Sequence, residues 1–260
     1  MTIKEVAATL EQFAPLPLQE SYDNAGLQIG LTENENVSGV LLCLDVTENV
    51  ILEAEAKGCN MIVAHHPLLF RPLRHICGQS QVERCVASAI QNGISIYAAH
   101  TNLDNAVGGV NFVIAEKMGL QNVTFLQPLI NRNGGSGIVG DLPVPEKGDA
   151  FLRKVADVFH VDAVMHNEIQ EKPVKRIAIC GGAGEFLLDQ AIAVGADVFL
   201  TGEMGYHRYF GHEGEILIGV IGHYQSEQYT IELLYRILHE AYPEMHLEKT
   251  VLNTNPIYIN

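Results

Sequence analysis

Basic residues are scarce in this sequence. Lys and Arg total 16 against 31 Asp and Glu, a formal net charge of −15 at pH 7. Gripping a phosphate backbone over a broad surface draws on clustered Lys and Arg. The deficit therefore argues against a protein that embraces nucleic acid, a local basic patch aside. Long apolar runs are missing too: none approaches the ~18 consecutive residues of a transmembrane helix, so no membrane association is expected. No Arg-rich transit segment and no charged stretch followed by an apolar one opens the chain. No glycine-rich P-loop is present. Cysteine is sparse: the five, at positions 43, 59, 77, 85 and 180, are odd in number and contain no C-x-x-C pair. Cys43 and Cys180 lie inside apolar strand-like runs, where a free thiol behaves as a small hydrophobe. A reduced, cytoplasmic protein is the simplest reading.

What is present is an alternation of strand and helix signals. The 260-residue chain is 47% hydrophobic, enough for one large core or two smaller ones. Thr2-Ile3-Lys4-Glu5 is a capping box, and Ile3, Val6, Ala7, Leu10 and Phe13 follow at helical spacing until Pro15 and Pro17. Next come strand 40–46, helix 48–57, strand 61–64, helix 80–92, strand 94–99 and helix 106–118. The glycine-rich NRNGGSG at 131–137 reads as a linker or exposed turn. The alternation then resumes with a helix near 148–160, strands near 161–166 and 174–180, a helix at 185–194 and strands near 197–201 and 215–221. A long amphipathic helix at 224–241 and a strand near 246–252 follow. That rhythm is α/β. Shifted by 137 positions, residues 40–66 lie on 177–203 without a gap, placing Cys43 on Cys180 and Gly58 on Gly195. The shared strand–helix–Gly–strand pattern suggests two similar α/β domains, each presenting strand ends toward a site.

Polar residues gather at those strand ends, where α/β sheets bind ligands. His65 and His66 follow strand 61–64; His100 and then Asp104 follow strand 94–99. Thr201-Gly202-Glu203 follows the next strand, with His207 four residues on, and Gly222-His223 ends strand 215–221, with Glu227 four residues later. Imidazole plus carboxylate without thiolate is a ligand set for Zn, Fe, Mn or Ni. His223 and Glu227 at i and i+4 lie on one face of a helix. Each feature has a plainer reading: a strand-end histidine bonds backbone or water, His-x-x-x-Glu is a solvated pair, and Asp104 caps a helix. The weight comes from several weak signals at one topological place.

SYDNAGLQIG (21–30), AHHPLLF (64–70), HTNLD (100–104), TGEMGYH (201–207) and GHYQSE (222–227) together resemble the successive motifs of the dinuclear-metal-centre proteins. These are known as GTP cyclohydrolase I type 2 homologs, or YbgI-like proteins. The resemblance covers essentially the whole chain. It implies two similar α/β domains with a dinuclear metal site at strand ends between them, in a toroidal homohexamer. Carried over by motif, the metal ligands are His65, His66, Asp104, His223 and Glu227, with Glu227 bridging and the motif's ligand role given to Asp104 rather than His100. Two divalent ions per subunit are implied, as Zn, Fe, Mn or Ni. Successive strand side chains point to opposite faces, but at a strand end turning toward Pro67 adjacent imidazoles can serve two ions.

The expected division is 1–125 plus 224–260 as a first domain carrying most of the ligands, and 126–223 as a second without a large inserted domain. The function implied is a metal-dependent hydrolase of a nucleotide or related heterocycle, GTP cyclohydrolase-like, with Glu203 and His207 as candidate acids and bases. Equally, Glu203 and His207 hold ligand histidines. Arg71, Arg74, His75 and Arg208 are candidate phosphate partners, or they pair with surplus acids. Gly181–Gly184 is a phosphate-receiving turn or merely a tight one. The alternative to an enzyme is a non-catalytic metal-binding scaffold or regulatory protein.

Overall fold

The computed structural model describes residues 1–30 and 36–258 and divides the chain into two compact units. The first unit comprises Met1–Leu103 and Thr230–Asn260, and the second Asp104–Tyr229. The expected boundaries, at 125/126 and 223/224, both fall inside the second unit. Consequently Asp104, His223 and Glu227 belong to the second unit, and the first does not carry most of the expected ligands.

The first unit opens with helix α1, Ile3–Phe13. Its capping box forms as the sequence dictates: Glu5 N donates to Thr2 Oγ1 at 3.3 Å and Thr2 N donates to Glu5 Oε2 at 2.7 Å. Ile3, Val6, Ala7 and Leu10 make its buried face. Strands β1 (Gly26–Ile29), β2 (Val40–Cys43), β3 (Met61–Ala64) and β4 (Ser95–Ala98) follow, with helices α2 (Glu48–Ala56) and α3 (Gln81–Gln91) as crossovers. In the sheet β1 runs antiparallel to β4, while β4, β3 and β2 are mutually parallel. The C-terminal strand Leu247–Lys249 adds a parallel edge to β2. Every residue of β2, β3 and β4 is buried, as expected of parallel strands covered on both faces. Each large aliphatic side chain so buried contributes roughly 1.5–3 kcal/mol.

The second unit begins at the end of a short helix, α4, Thr101–Asp104. It continues with α5 (Val110–Met118), β5 (Gln121–Pro128), β6 (Gly135–Glu146), α6 (Gly148–Phe159), β7 (Met165–His166), β8 (Val174–Cys180), α7 (Leu188–Ala193), β9 (Val198–Thr201), β10 (Leu217–Val220) and α8 (His223–Glu227). The sheet order is β5-β6-β8-β9-β10-β7. Strands β8, β9 and β10 are parallel; β5, β6 and β7 join antiparallel. The segment expected as a linker is thus half strand, because Gly135–Gly137 opens the long β6, and its pairing with β5 draws 121–128 into the second unit. The expected helix at 224–241 is two helices, α8 and Thr230–Ala241.

The internal echo is structural. In the first unit Val40 pairs with Met61 and Cys43 with Ala64. Adding 137 to each number gives Ile177 with Val198 and Cys180 with Thr201, which are the register partners of β8 and β9.

Candidate metal centre

In the first unit the chemistry sits just past the carboxyl ends of β3 and β4. The backbone keeps its strand pairing one step further: His65 N donates to Cys43 O at 3.1 Å and His66 N to Leu44 O at 2.9 Å. His65 is fully buried and its Nδ1 lies 2.8 Å from the carbonyl of Ala99. His66 Nδ1 lies 2.8 Å from Asp45 Oδ1, and His100 Nδ1 lies 2.7 Å from Asp23 Oδ1. A carbonyl or carboxylate oxygen only accepts, so each Nδ1 carries a proton, and the nitrogen a ring can offer to a metal is Nε2. The three rings pack together, with centroids 4.8, 5.3 and 5.4 Å apart. One ligating nitrogen from each lies within 4.8 Å of the others. This cluster can hold a metal ion.

The two carboxylates are built to stay ionised. Burial opposes the charge on Asp23, but the hydrogen bonds from His100, Thr101 and the Asn24 amide outweigh it and bring the carboxyl down to about 2. Burial likewise opposes the charge on Asp45, and His66 and Thr254 outweigh it. The SYDNAGLQIG motif is therefore accounted for. Asp23 fixes His100, Asn24 Nδ2 donates to Leu69 O at 2.7 Å, and Leu69 N donates to Gln28 Oε1 at 3.0 Å. Its residues brace the loop that follows the histidine pair.

In the second unit the site is seated on glycines. His223 opens α8 directly after β10, and its two ring nitrogens face two carboxylates: Nδ1 is 2.8 Å from Glu203 Oε1, and Nε2 is 3.2 Å from Glu227 Oε2. Glu227 is 4% exposed. A carboxylate that deep is costly unless a positive charge meets it. An imidazole between two carboxylates satisfies both only as imidazolium, or with a cation taking the place of the Nε2 proton. A Cβ on Gly182 would lie 2.4 Å from Glu227 Oε1, and one on Gly202 2.7 Å from both Gly182 O and Ser226 Oγ. The glycine turn is thus the floor under the Glu227 carboxylate. Three of its four amides are committed: Gly181 N donates to Asn111 Oδ1 at 2.9 Å, Gly182 N to Ser226 Oγ at 2.9 Å and Gly184 N to Thr201 Oγ1 at 3.1 Å.

The structure gathers His65 and His66 with His100, and gathers His223 with Glu227 and Glu203. Asp104 is half-buried at the end of α4, and its carbonyl accepts from Asn111 Nδ2 at 3.3 Å. His207 is exposed in the turn Tyr206–Tyr209, where its ring meets those of Tyr206 at 5.2 Å and Phe210 at 6.3 Å. Among the described residues it touches neither His223 nor Glu227. Arg208 pairs with Asp189 at 3.3 Å, while Arg71 and Arg74 are exposed. Asp23 and Asp45 are the residues that sequence spacing did not place. Their partners lie 77 and 21 positions away in the chain, beyond any local pattern.

No helix among the described residues is long and apolar enough to cross a membrane. Residues 1–256 match the protein family described as Duf34/NIF3 (NGG1p interacting factor 3). A Lactococcus lactis protein named "GTP cyclohydrolase 1 type 2 homolog" is 33% identical over 266 residues, covering 99% of each chain. A Staphylococcus aureus crystal structure superposes with a TM-score of 0.91 at 26% identity, covering 100% of this chain and 99% of that one. A Bacillus cereus protein described as related to NIF3 gives a TM-score of 0.90 at 25% identity, with the same coverage.

Proposed function

The chain belongs to the Duf34/NIF3 family, and from that premise we propose that it is a dinuclear metal-dependent hydrolase of a nucleotide or related heterocycle, with GTP cyclohydrolase I type 2 chemistry the first to test. The observation that carries the reading is His223, held between the carboxylates of Glu203 and the buried Glu227. That arrangement, like the three imidazoles of the first unit, asks for positive charge. The ligand set is His65, His66, Asp104, His223 and Glu227, and His100 stands within reach of the ion that His65 and His66 take. Two divalent ions, as Zn, Fe, Mn or Ni, would supply an activated water and neutralise developing negative charge.

The chain's own residues do the rest. Asp23, Asp45 and Glu203 each hold an imidazole by Nδ1, fixing its tautomer and aim. Glu203 stands 2.8 Å from His223 Nδ1, so it is the better placed of the two candidate acids and bases; His207 lies in an exposed turn against Tyr206 and Phe210. The same reading takes the protein to be a cytoplasmic homohexamer, which sedimentation tests. The activity is tested by incubating metal-reconstituted protein with GTP and following formate release. Turnover that disappears in Glu227→Ala supports the proposal. Turnover that survives the substitution removes this site from the chemistry, and no turnover on any nucleotide moves the weight to a metal-binding scaffold.

A further inference from the structure

The carboxylate of Asp45 is held at both oxygens. Oδ1 accepts from His66 Nδ1 at 2.8 Å, and Oδ2 accepts from Thr254 Oγ1 at 2.7 Å. The second donor comes from the C-terminal segment, 209 positions away. That segment is strapped down just upstream. Thr250 N donates to Leu42 O at 2.9 Å, Thr250 Oγ1 and Val251 N donate to Glu53 at 2.5 and 3.0 Å, and Leu252 packs on the core of the first unit. Asn253 Oδ1 then accepts from Asn255 N at 3.0 Å, turning the chain around Thr254.

We propose that Thr254 is a positioning residue for His66, and that docking of the C-terminal strap and metal binding are thermodynamically linked. The inference rests on the metal centre proposed above. The terminal torsion of an aspartate is broad, so one hydrogen bond leaves the Asp45 carboxylate free to swing. Two bonds, one on each oxygen, fix the plane of the carboxylate and with it the aim of the His66 ring. The strap therefore favours the imidazole orientation that a metal requires. By reciprocity, a metal that fixes His66 and Asp45 favours the docked strap by the same factor.

The test compares wild type with Thr254→Val, which keeps the shape and loses the hydroxyl, and Thr254→Ser, which keeps the hydroxyl. Zinc affinity is measured by competition with a chromophoric chelator, and trimming of the strap by carboxypeptidase is followed with and without zinc. The expected result is binding weakened about tenfold in Thr254→Val, the lower end for a residue that orients a ligand, and within about threefold of wild type in Thr254→Ser. Zinc slows trimming in wild type and in Thr254→Ser, and much less in Thr254→Val. A Thr254→Val variant that binds zinc as wild type does, a Thr254→Ser variant that falls as far as Thr254→Val, or trimming indifferent to zinc in wild type would overturn the proposal. If wild type takes up no zinc, the metal centre itself falls; if wild type binds and the variants match it, only the strap's role does.

Discussion

Asp23 and His100, 77 positions apart, meet at 2.7 Å through Oδ1 and Nδ1. The same carboxylate accepts the Thr101 amide at 3.0 Å and the Thr101 hydroxyl. One buried acid thereby sets the tautomer of an imidazole and closes the turn that leads into α4. In Asp23→Asn the amide no longer forces the Nδ1 proton. Metal affinity is expected to fall about 10- to 100-fold, as for other groups that orient a ligand histidine. Losing an acceptor for Thr101 should cost ~1–3 kcal/mol in stability. Chelator competition and denaturant unfolding of the same preparation read both.

Glu227→Gln separates function from stability. The substitution removes a buried charge that, in the ion-free protein, faces the imidazole of His223. The apo variant is expected to unfold no earlier than apo wild type, while its metal content drops, a trade typical of a strained functional site. Thermal unfolding with and without added zinc tests this. An apo variant several degrees less stable, with undiminished zinc uptake, would mean the carboxylate is structural.

Gly182→Ala should be far more damaging than Gly58→Ala. Both positions have positive φ, +61° and +69°, so an alanine costs ~1–2 kcal/mol of backbone strain at each. At Gly58 the new methyl meets nothing within 4 Å, whereas at Gly182 it would sit 2.4 Å from Glu227 Oε1. The Gly58 variant should show the strain alone; the Gly182 variant should also displace the carboxylate and lose metal. Equal metal content in the two would contradict the view that the glycine turn exists to seat Glu227.

Asp197, in the second unit, gives a pH dependence apart from either cluster. Burial opposes its charge, but Lys172 Nζ at 2.5 Å and the amides of Lys175 and Arg176 at 2.9 Å together outweigh it, holding its carboxyl below the ordinary 3.8. A carboxyl depressed on folding contributes stability that is present above its unfolded value and lost as pH falls through the folded one. Asp197→Asn should therefore cost ~1–3 kcal/mol near pH 7. The gap from wild type should narrow as pH drops below 3.8. Urea unfolding across that range checks it; a gap that widens toward acid has the wrong sign.

Much of this was legible in the sequence because it is local. The Thr2–Glu5 box, the helix stop at Pro15 and the buried parallel strands follow from spacing and residue type. So does the echo between 40–66 and 177–203, whose strand register the structure reproduces. The β5–β6 hairpin was not legible, since Gly134, Gly135 and Gly137 carry turn signals into a strand that pairing with β5 and β8 overrides. Nor were the divisions at Leu103 and Tyr229, which depend on which sheet each segment joins. At the site, the motif histidines stood out by their place after strands. Asp45 and Thr254 did not, because their partners are distant in the chain.

The central claim is that these imidazoles and carboxylates exist to hold a pair of divalent cations. Elemental analysis of protein reconstituted with zinc and freed of loosely bound metal, counted per chain, tests it directly. The account predicts two ions per chain in wild type and a clear loss in both His66→Ala and Glu227→Ala. Metal-free wild type, or a count that neither substitution changes, would contradict it.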